Sequence, residues 1–448
     1  MRPAPVVVVG GGLAGTAAAL RLADAGAHVV LVEARGRLGG RAGSGMRHGH
    51  PVDTGAHVAL RCYTAYLGLL QRVGSGHLLP LRDRLDVPVL VAGGRTSHLT
   101  RAWPLRYAAL SPGERARAVA AGLALRRVDP ADPARDAESF GHWLDRHGQG
   151  ERAVRRLWGL LGLPALNLEP REASLAMAAT VFRTALFEDA DAADLGVPVA
   201  PLRDLHDAPV RKTLRGLGVE LRTGTRVLAL DRVRDGLLVT LRDREGSAAE
   251  QLRASCVVLA VPHQQAAGLV PSAACPDRDR WAELGSSPIV NTHLLLDRPV
   301  LHELFAAAPD SELQWLFDRT TAAGHDRGQY LVSSVSAAGS LIGMPAGALV
   351  ERQVDALRRL LPAARGARVV DAFVTREPAA TFRASPGSAR LRPGPRTRWP
   401  GLVLAGAWTD TGWPDTLEGA VRSGLTAASS LVTRRPADSR QLALGGQR

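Results

Sequence analysis

Apolar stretches and helix-forming stretches alternate in the first part of the chain in the order strand, helix, strand. The run 5–9 is short and entirely apolar, as a parallel strand buried on both faces requires. Residues 12–26 are rich in Ala and Leu, and the stretch is long enough for a helix that ends at its final glycine. A second apolar run follows at 28–32. The pattern predicts a βαβ unit over residues 5–33.

The same alternation returns in two later blocks, separated by less regular sequence. The block 209–261 begins with a predicted helix and continues with short apolar runs, and the block 402–431 has one short apolar run followed by a predicted helix. Of the stretches between them, 64–195 has mostly helical periodicity, whereas 264–395 contains the alternating runs that are typical of sheet. The chain is therefore predicted to have one α/β core that is interrupted twice.

A glycine-rich turn directly follows the first predicted strand and opens the first predicted helix. The turn fits the G-x-G-x-x-G pattern of dinucleotide-binding βαβ units. Gly10 permits the tight turn, Gly12 lets the backbone approach a pyrophosphate, and Gly15 lets helix and strand pack closely. The helix amino terminus adds N–H donors for the phosphate charge. The predicted cofactor-binding residues of this turn are Gly10, Gly12, Leu13, Ala14 and Gly15.

The end of the second predicted strand carries the other half of a dinucleotide site. Glu33 stands where a carboxylate can accept hydrogen bonds from both ribose hydroxyls, and its charge disfavours a 2′-phosphate. A second glycine turn with flanking arginines follows at once and can neutralise a pyrophosphate and offer backbone N–H groups to a flavin ring. This loop favours FAD over NAD, and its predicted cofactor-binding residues are Arg35, Gly39, Gly40 and Arg41.

These motifs turn the pattern into a prediction of fold class and domain organisation. We expect a Rossmann-type α/β FAD-binding domain, interrupted by insertions that form a mixed α+β substrate domain with a helical part. The FAD-binding domain is assigned to residues 1–63, 196–263 and 396–433, and the substrate domain to 64–195 and 264–395. Residues 434–448 are expected to form a disordered tail.

Charge and cysteine content limit the classes of partner and of metal or disulfide site that are expected. The formal net charge is +13, and it comes from arginine, since Lys212 is the single lysine. This excess can reflect coding composition, or it can attract an anionic partner such as an acidic membrane surface. No basic run is interleaved with aromatic residues, so a nucleic-acid partner is not expected. The three cysteines have no metal-ligand or redox spacing, so neither a metal site nor disulfides are expected.

The two glycine turns, Glu33 and the arginine-flanked loop resemble the flavin-containing amine oxidase and phytoene desaturase superfamily. This resemblance implies non-covalent FAD here, because no cysteine is available near the carboxy-terminal flavin segment for a covalent link. It also implies that this segment closes over the flavin and that the strand starting at Thr225 contacts adenine. The residues that match these features are Val227, Gly406, Trp408, Glu418, Gly419 and Ala420.

Several further stretches resemble the squalene-associated branch of the superfamily, the hydroxysqualene dehydroxylases. They include Asp53 to Thr64, Ser287 to Asn291 and Trp408 to Pro414, and the matches run in order from about residue 5 to 430. The resemblance implies reduction of hydroxysqualene, a C30 isoprenoid alcohol, to squalene in squalene and hopanoid biosynthesis. The long apolar insertions suit such a substrate.

That reaction needs a general acid, because hydroxide is a poor leaving group at neutral pH. Asp410 is one candidate, since the resemblance places it in the segment that faces the flavin, where burial would raise its pKa. His57 is the second, although a structural hydrogen bond is the favoured interpretation of this residue. One departure from the branch is Ala56, where a polar residue, typically Gln, is expected.

Three alternatives remain open from the sequence. Another polyprenoid or carotenoid desaturase, or an amine oxidase, would use the same fold, but Lys212 lies in a predicted surface helix rather than near a flavin. A non-catalytic prenyl-binding protein would be expected to lose the flavin motifs, which are intact. With one dinucleotide motif, NAD(P)H is expected only as a transient reductant. A cytoplasmic location is expected, with peripheral association with the inner membrane face as an option, and the sequence does not reveal the oligomeric state.

Overall fold

The computed structural model describes residues 4–82, 84–91, 95–189, 191–243, 246 and 248–432. The predicted tail, 434–448, lies outside these residues. Two sheets face each other across a large cavity, and helices cover their outer sides. No helix in the described ranges is long and apolar enough to cross a membrane.

In this part of the chain, five parallel strands form the sheet of the predicted Rossmann-type domain. Val6–Val9 is the central strand, paired with Val29–Glu33 on one side and with Cys256–Leu259 on the other. It is buried along its whole length, which explains why its residues are all valine. From one edge to the other the strands are Leu402–Leu404, Cys256–Leu259, Val6–Val9, Val29–Glu33 and Glu220–Thr223.

The carboxy-terminal helix, Leu417–Val432, packs closely against the first helix, Leu13–Asp24. Gly424 makes this approach possible, because a Cβ atom at this position would lie 2.0 Å from the Ala14 carbonyl oxygen. The last described helix is thereby held beside the first glycine turn, in contact with the helix of the βαβ unit.

The second sheet has seven strands, which come from both predicted insertions. Residues 64–195 were expected to be mostly helical, but they contribute two strands, Asp86–Val91 and Arg95–Thr100. Val89 pairs with Ala307 of the second insertion. The first insertion is thus mostly helical, as expected, with these two strands added to it, and the numerical domain boundaries stay a prediction. The order of the sheet is Val369–Thr381, Ser287–Leu296, Gln329–Val335, Gln314–Asp318, Phe305–Ala308, Asp86–Val91 and Arg95–Thr100.

Helices complete the covering of both sheets. One of them, predicted from Ser111 to Arg127, spans Pro112–Leu125 and begins with a capping box between Ser111 and Glu114. The α-helices are Leu13–Asp24, Thr64–Val73, Trp103–Arg106, Pro112–Leu125, Pro133–Asp136, Phe140–Arg146, Glu151–Ala153, Gly159–Leu166, Leu175–Arg183, Leu202–His206, Ala208–Gly216, His263–Leu269, Ala346–Leu360 and Leu417–Val432. Single π-helical segments occupy Val154–Trp158 and Thr184–Glu188, and 3₁₀ segments occupy Gly76–Leu78, Pro276–Leu284, Pro362–Gly366 and Ala389–Leu391.

Smaller strand pairs connect the two large sheets. Ser44–Arg47 and His50–Asp53 form a hairpin, and Ala59–Leu60 pairs with Leu195–Gly196. A three-stranded antiparallel sheet follows the Rossmann edge strand, with Thr225–Val233, Gly236–Asp243 and Glu250–Ala254.

A buried ion pair joins the hairpin to the seven-stranded sheet. Arg319 donates to a carboxylate oxygen of Asp53 at 3.0 Å and to the carbonyl oxygens of Pro198 and Ala200. Asp53 also accepts hydrogen bonds from Ser44 and from the Leu202 amide. Both charged groups are largely withdrawn from water, with side-chain exposures of 10% and 16%. Such a pair holds the two units together only while both partners are present.

Replacing Arg319 by Met should destabilise the fold by about 3–5 kcal/mol, because Asp53 would be left as an unpaired buried charge. The matched control is Arg72→Met, which breaks the exposed pair with Asp24 and should cost below about 1 kcal/mol. Urea denaturation followed by tryptophan fluorescence measures both. Equal losses in the two variants would contradict the structural role of the buried pair.

Candidate active site

A cavity of about 940 Å³ lies between the Rossmann sheet and the seven-stranded sheet. Its size is at the upper end of the roughly 300–1,000 Å³ that is usual for ligand pockets. The residues that follow all five strands of the Rossmann sheet reach it, as expected for ligand sites at the carboxyl edge of a parallel sheet. They include Gly10, Ala34, Thr225, Ala260 and Gly406. One part of the cavity is polar and glycine-rich, and the other is apolar.

The first glycine turn is built by close backbone contacts. Gly10 has φ +106°, and a Cβ atom there would lie 2.3 Å from the Ala260 carbonyl oxygen. A Cβ atom at Gly15 would lie 1.9 Å from the Gly10 carbonyl oxygen. A Cβ atom at Gly12 would have its nearest protein neighbour 3.9 Å away, so the space in front of Gly12 is open to the cavity. The turn therefore leaves one glycine free for a ligand.

The helix that follows this turn presents its amino terminus to the cavity. Leu13–Asp24 has no side-chain cap at Gly12 and no acidic residue in its first turn, and both Leu13 and Ala14 line the cavity. Its first N–H groups have no acceptor within the helix. Such an end attracts an anionic group. A pyrophosphate has the charge and the oxygen acceptors that this end lacks.

Glu33 is fixed at the end of its strand by two backbone amides. Its carboxylate accepts from the Gly11 amide and from the Arg35 amide, each at 2.7 Å. The side chain is 9% exposed and lines the cavity. Each oxygen keeps a further acceptor position, so the carboxylate can still receive the hydroxyls of a ribose.

The second glycine turn packs directly on the first. The Gly39 amide donates to the Gly11 carbonyl oxygen at 2.9 Å, and a Cβ atom at Gly40 would lie 3.0 Å from the Gly12 Cα atom. Two guanidinium groups, those of Arg35 and Arg37, donate to the Gly40 carbonyl oxygen at 3.3 and 3.2 Å. The predicted arginines thus hold the turn in shape and place positive charge beside it.

Arg41 connects this turn to the seven-stranded sheet and to the loop before the helix Leu417–Val432. Its guanidinium forms an ion pair with Asp415 at 3.2 Å and donates to the carbonyl oxygens of Ala379 and Ala380. Asp415 also accepts from the Phe382 amide at 3.0 Å. Both Arg41 and Asp415 line the cavity. Asp415 was not among the predicted residues, although it lies one residue beyond the stretch that resembles the squalene-associated branch.

The predicted adenine strand and the predicted flavin segment both reach the cavity. Val227 lines it beside a bulge in the pairing of its strand, which lies between Val227 and Ala229. Gly406, with φ +135°, donates from its amide to the Ser423 hydroxyl at 2.8 Å. Trp408 is 1% exposed, lines the cavity and donates from its indole nitrogen to the Val261 carbonyl oxygen at 2.9 Å.

Two predicted cofactor residues of the last helix have structural roles instead. The fully buried Glu418 accepts from the Ala65 and Tyr66 amides at 3.1 and 2.8 Å, which caps the amino terminus of the helix Thr64–Val73, and it pairs with Arg422. A Cβ atom at Gly419 would lie 2.6 Å from the Pro414 carbonyl oxygen. Glu418, Gly419 and the packing glycine Gly15 do not border the cavity within the described residues, whereas Ala420 does.

Asp410 is not in the environment that was expected for a proton donor. Its side chain is exposed to solvent, and it is absent from the cavity lining in the described part of the chain. Its amide donates to the Pro393 carbonyl oxygen at 2.9 Å, while the neighbouring Arg392 binds the carbonyl oxygens of Ala407, Thr409 and Trp413. These bonds fix the loop with the Asp410 carboxylate on its outer side. The expectation that this carboxylate is desolvated is wrong.

His57 does line the cavity and is half-buried. Its Nδ1 lies 2.9 Å from the Gly55 carbonyl oxygen, so Nδ1 carries the proton and Nε2 is the acceptor in the neutral ring. Burial lowers the pKa of His57, and the Gly55 carbonyl opposes that shift only in part. The neutral ring is therefore favoured at neutral pH, which suits a hydrogen-bond acceptor better than an acid.

Glu377 is a carboxyl group of the cavity that the sequence did not single out. It lies on the strand Val369–Thr381, opposite Ile289, and both residues line the cavity. Burial raises the pKa of Glu377, whereas the nearby Arg35 and Arg41 act against this shift. Its protonated form is therefore more accessible than that of an ordinary surface glutamate.

The apolar part of the cavity extends from this junction into the substrate domain. No charged side chain of the described residues lines it. Its walls come from the helices Gly159–Leu166 and Leu175–Arg183, the π-helical segment after them and the seven-stranded sheet. The lining residues are Leu85, Val87, Leu160, Leu161, Pro164, Ala165, Val181, Phe182, Ala185, Leu186, Ala193, Leu195, Leu269, Ile289, Phe305, Trp315 and Phe317.

The donor set of the polar part fits an FAD molecule. The open space at Gly12, the uncapped helix end, the Glu33 carboxylate and the Arg35 and Arg41 guanidiniums match a pyrophosphate that joins two ribose-like groups. Lys212, the residue that an amine oxidase mechanism would need near the flavin, is exposed on the helix Ala208–Gly216. It therefore takes no part in this site.

Comparison with protein families agrees with this geometry. The family model of the flavin containing amine oxidoreductases matches residues 13–432. The chain belongs to this family. It is therefore a flavin-dependent oxidoreductase, and the superfamily resemblance read from the glycine turns is confirmed.

Curated relatives within the family include two kinds of isoprenoid enzyme. A hydroxysqualene dehydroxylase of Rhodopseudomonas palustris is 31% identical over 446 residues, which cover 95% of this chain and 98% of the relative. A zeta-carotene desaturase of Arabidopsis thaliana is 25% identical over 473 residues, which cover 95% of this chain and 84% of the relative. The resemblance to the dehydroxylase branch thus extends over nearly the whole chain.

Solved structures of the family share the fold. Putrescine oxidase bound to putrescine has a TM-score of 0.73 at 19% identity, covering 96% of this chain and 99% of the oxidase. Cyclohexylamine oxidase from Brevibacterium oxydans has a TM-score of 0.69 at 18% identity, with coverages of 96% and 99%. At this identity the likeness confirms the Rossmann-type fold with its inserted substrate domain and nothing about the substrate.

Gly12→Ala and Gly15→Ala should separate ligand binding from folding. Alanine at Gly12 meets no protein atom closer than 3.9 Å, so the fold should be retained. Its methyl group would occupy the space of the pyrophosphate, and FAD affinity should fall at least about tenfold. Alanine at Gly15 would clash with the Gly10 carbonyl and should destabilise the fold by about 1–3 kcal/mol.

Flavin fluorescence titration of the apoprotein measures affinity, and thermal unfolding of the same samples measures stability. If Gly12→Ala binds FAD as tightly as the wild type, the cofactor does not pass the first glycine turn.

Proposed function

We propose that this protein reduces hydroxysqualene to squalene, as a hydroxysqualene dehydroxylase of squalene and hopanoid biosynthesis. The observation that carries the proposal is that one cavity contains both the polar part and the apolar part, which we call the apolar arm and which no charged side chain of the described residues lines. An isoprenoid of thirty carbons needs such an arm, whereas a small amine needs a polar anchor. The 31% identity to a hydroxysqualene dehydroxylase supports the same substrate.

We propose that FAD is held without a covalent bond by the residues of the polar part. Gly10, Gly12, Leu13 and Ala14 would hold the pyrophosphate, Glu33 the ribose, and Val227 the adenine end. Gly39, Gly40, Arg41, Gly406, Trp408 and Ala420 would surround the rest of the cofactor. When bound and reduced, the flavin supplies the hydride that replaces the hydroxyl group of the substrate.

The protein must then supply a proton, so that the hydroxyl group leaves as water while the hydride forms the new C–H bond. Glu377 is the best candidate, because it lines the junction of the two parts and burial raises the pKa of its carboxyl group. Asp415 is engaged with Arg41 and with the Phe382 amide. His57 would accept a hydrogen bond from the substrate hydroxyl through Nε2 and orient it. Asp410 is not retained in this role.

The apolar arm contributes orientation and exclusion of water. Aromatic side chains such as Phe182 and Trp315 and the aliphatic residues around them bind a hydrocarbon chain without offering an alternative proton source. The reacting alcohol is then the polar end of an otherwise apolar ligand, which directs it to the polar junction. The reductant of the flavin is proposed to be NAD(P)H, bound transiently, or a partner protein. The enzyme would work in the cytoplasm or at the inner face of the membrane.

The first assay incubates the FAD-loaded protein with hydroxysqualene and a reductant under anaerobic conditions and detects squalene by chromatography with mass detection. We expect squalene to form only when enzyme and reduced flavin are both present. Flavin binding without squalene formation would contradict the substrate, and a desaturation of another polyprenoid would then be tested, as the zeta-carotene desaturase relative suggests.

Glu377→Gln should lower kcat by about 10²–10⁴-fold, the usual contribution of a general acid, while FAD remains bound. The wild-type rate should fall as pH rises through the pKa of Glu377, since only the protonated form donates. This dependence should vanish in the variant. Asp410→Asn is the matched control and should retain near wild-type turnover. Full activity of Glu377→Gln would remove Glu377 from the mechanism.

A further inference from the structure

An outward-facing apolar strip lies on the helix Pro112–Leu125 and its short neighbour Trp103–Arg106. Leu105, Leu123 and Val119 are 79%, 55% and 36% exposed. On the longer helix, the exposed positions Ala116, Val119, Ala120 and Leu123 recur at the three- and four-residue spacing of one face. The opposite face, which contains Ala118, Ala121 and Leu125, is buried in the domain core. We call the exposed strip, with the arginines around it, the basic apolar face.

The charge of the stretch that contains this strip is predominantly positive, although the exposed Asp129 follows it. Between residues 95 and 128 the sequence has seven arginines and a single acidic residue, Glu114. Glu114 is buried and paired with Arg152 at 2.6 Å, so it does not offset the surface charge. Five of the arginines are exposed and, within the described ranges, have no carboxylate partner: one is Arg95, and the other four lie close to the strip. These four are Arg106, Arg117, Arg126 and Arg127.

The long helix of the basic apolar face packs on a segment that lines the apolar arm. A Cβ atom at Gly122 of the long helix would lie 3.4 Å from the Phe187 ring. Phe187 belongs to the π-helical segment Thr184–Glu188, whose Ala185 and Leu186 line the cavity. All three residues are only half-buried. This segment and the helix that packs on it therefore lie between the arm and the exposed strip.

We infer that the basic apolar face docks on the surface of an anionic lipid bilayer and that the isoprenoid enters the apolar arm beneath it. The inference rests on the proposed function for the nature of the substrate but not for the docking itself. Leucine and valine side chains would enter the interface between headgroups and acyl chains, and the arginines would contact lipid phosphates. A second copy of the chain fits less well, because a symmetric contact would bring two sets of unpaired arginines together.

Sedimentation of the FAD-loaded protein with vesicles tests the inference. Two vesicle types are compared, phosphatidylcholine alone and phosphatidylcholine mixed with phosphatidylglycerol. We expect binding to the anionic vesicles that weakens as salt is added. The double variant Leu105→Asp/Leu123→Asp should lower the partition coefficient at least about tenfold, since it places two carboxylates in the docking strip. Each replacement of Arg126 or Arg127 by Gln should lower it about fivefold.

The matched control is Val370→Asp, because Val370 has the same 55% exposure as Leu123 but lies on the strand Val369–Thr381 of the substrate sheet. It should bind vesicles like the wild type. The inference is overturned if the wild type does not bind anionic vesicles, or if the double variant binds as well as Val370→Asp. It is also overturned if the wild type is a dimer in solution that the double variant dissociates.

A second readout separates this inference from the proposed function. Squalene formation from detergent-dispersed hydroxysqualene should be the same in the double variant and the wild type, whereas formation from substrate held in anionic vesicles should fall with the partition coefficient. If the wild type binds vesicles and makes no squalene from either source, the substrate proposal fails and the docking surface stands. If squalene forms from both sources equally in all variants, docking at this face is overturned and the function stands.

Discussion

The contact between two glycine turns is the constraint on which the site depends. The Gly12 Cα atom lies against Gly40, the Gly39 amide binds the Gly11 carbonyl, and Gly15 packs on Gly10 with no room for a methyl group. These contacts bring the end of the first strand, the start of the first helix and the loop after the second strand to one point. Because the open space at Gly12 is created by its neighbours, the space that we propose for the pyrophosphate exists before any cofactor binds. The carboxy-terminal helix is held at the same point through Gly424, so the residues from Gly406 to Ala420 are placed by the same packing.

The rest of the cavity follows from a division of chemistry between the two sheets. The Rossmann sheet contributes backbone N–H groups, a carboxylate and guanidiniums, which suit a charged cofactor. Apart from Glu377, the side chains that the seven-stranded sheet and the neighbouring helices contribute to the lining, within the described residues, are uncharged and mostly apolar, which suits a hydrocarbon. Arg41 connects the second glycine turn to the seven-stranded sheet, because it binds the carbonyl oxygens of Ala379 and Ala380 and also Asp415, just before the last described helix. Its ion pair therefore lies where the proposed cofactor and substrate regions meet.

Features that depend on local sequence patterns could be predicted, whereas features that depend on pairing between distant segments could not. The βαβ unit and Glu33 were predictable because their spacing is fixed by one strand, one turn and one helix. Pro262, which follows the strand Cys256–Leu259, lines the cavity and could have been predicted as a site residue. Loops at the carboxyl edge of a parallel sheet border its ligand site. Glu377 could not have been predicted as a site residue, because only its pairing with Ile289, almost ninety residues away in the sequence, brings it to the cavity. Glu418 and Asp410 were misplaced because a motif match fixes the path of the backbone but not the direction of each side chain. Glu418 turned inward to cap another helix, and Asp410 turned outward.

The arginine content of the chain had two explanations at the outset, coding composition and attraction to an anionic partner. Composition alone would add arginines without removing acidic residues, and 43 acidic residues in 448 predict about three in any stretch of 34. The stretch 95–128 has one, which is buried, and its exposed arginines surround the most exposed leucine of the described chain. Elsewhere arginine is commonly paired, as in the exposed bridges of Arg72, Arg171 and Arg352. Part of the excess charge therefore lies in this stretch, on the helix that packs over the segment Thr184–Glu188 of the apolar arm, where an apolar substrate would have to leave a lipid phase.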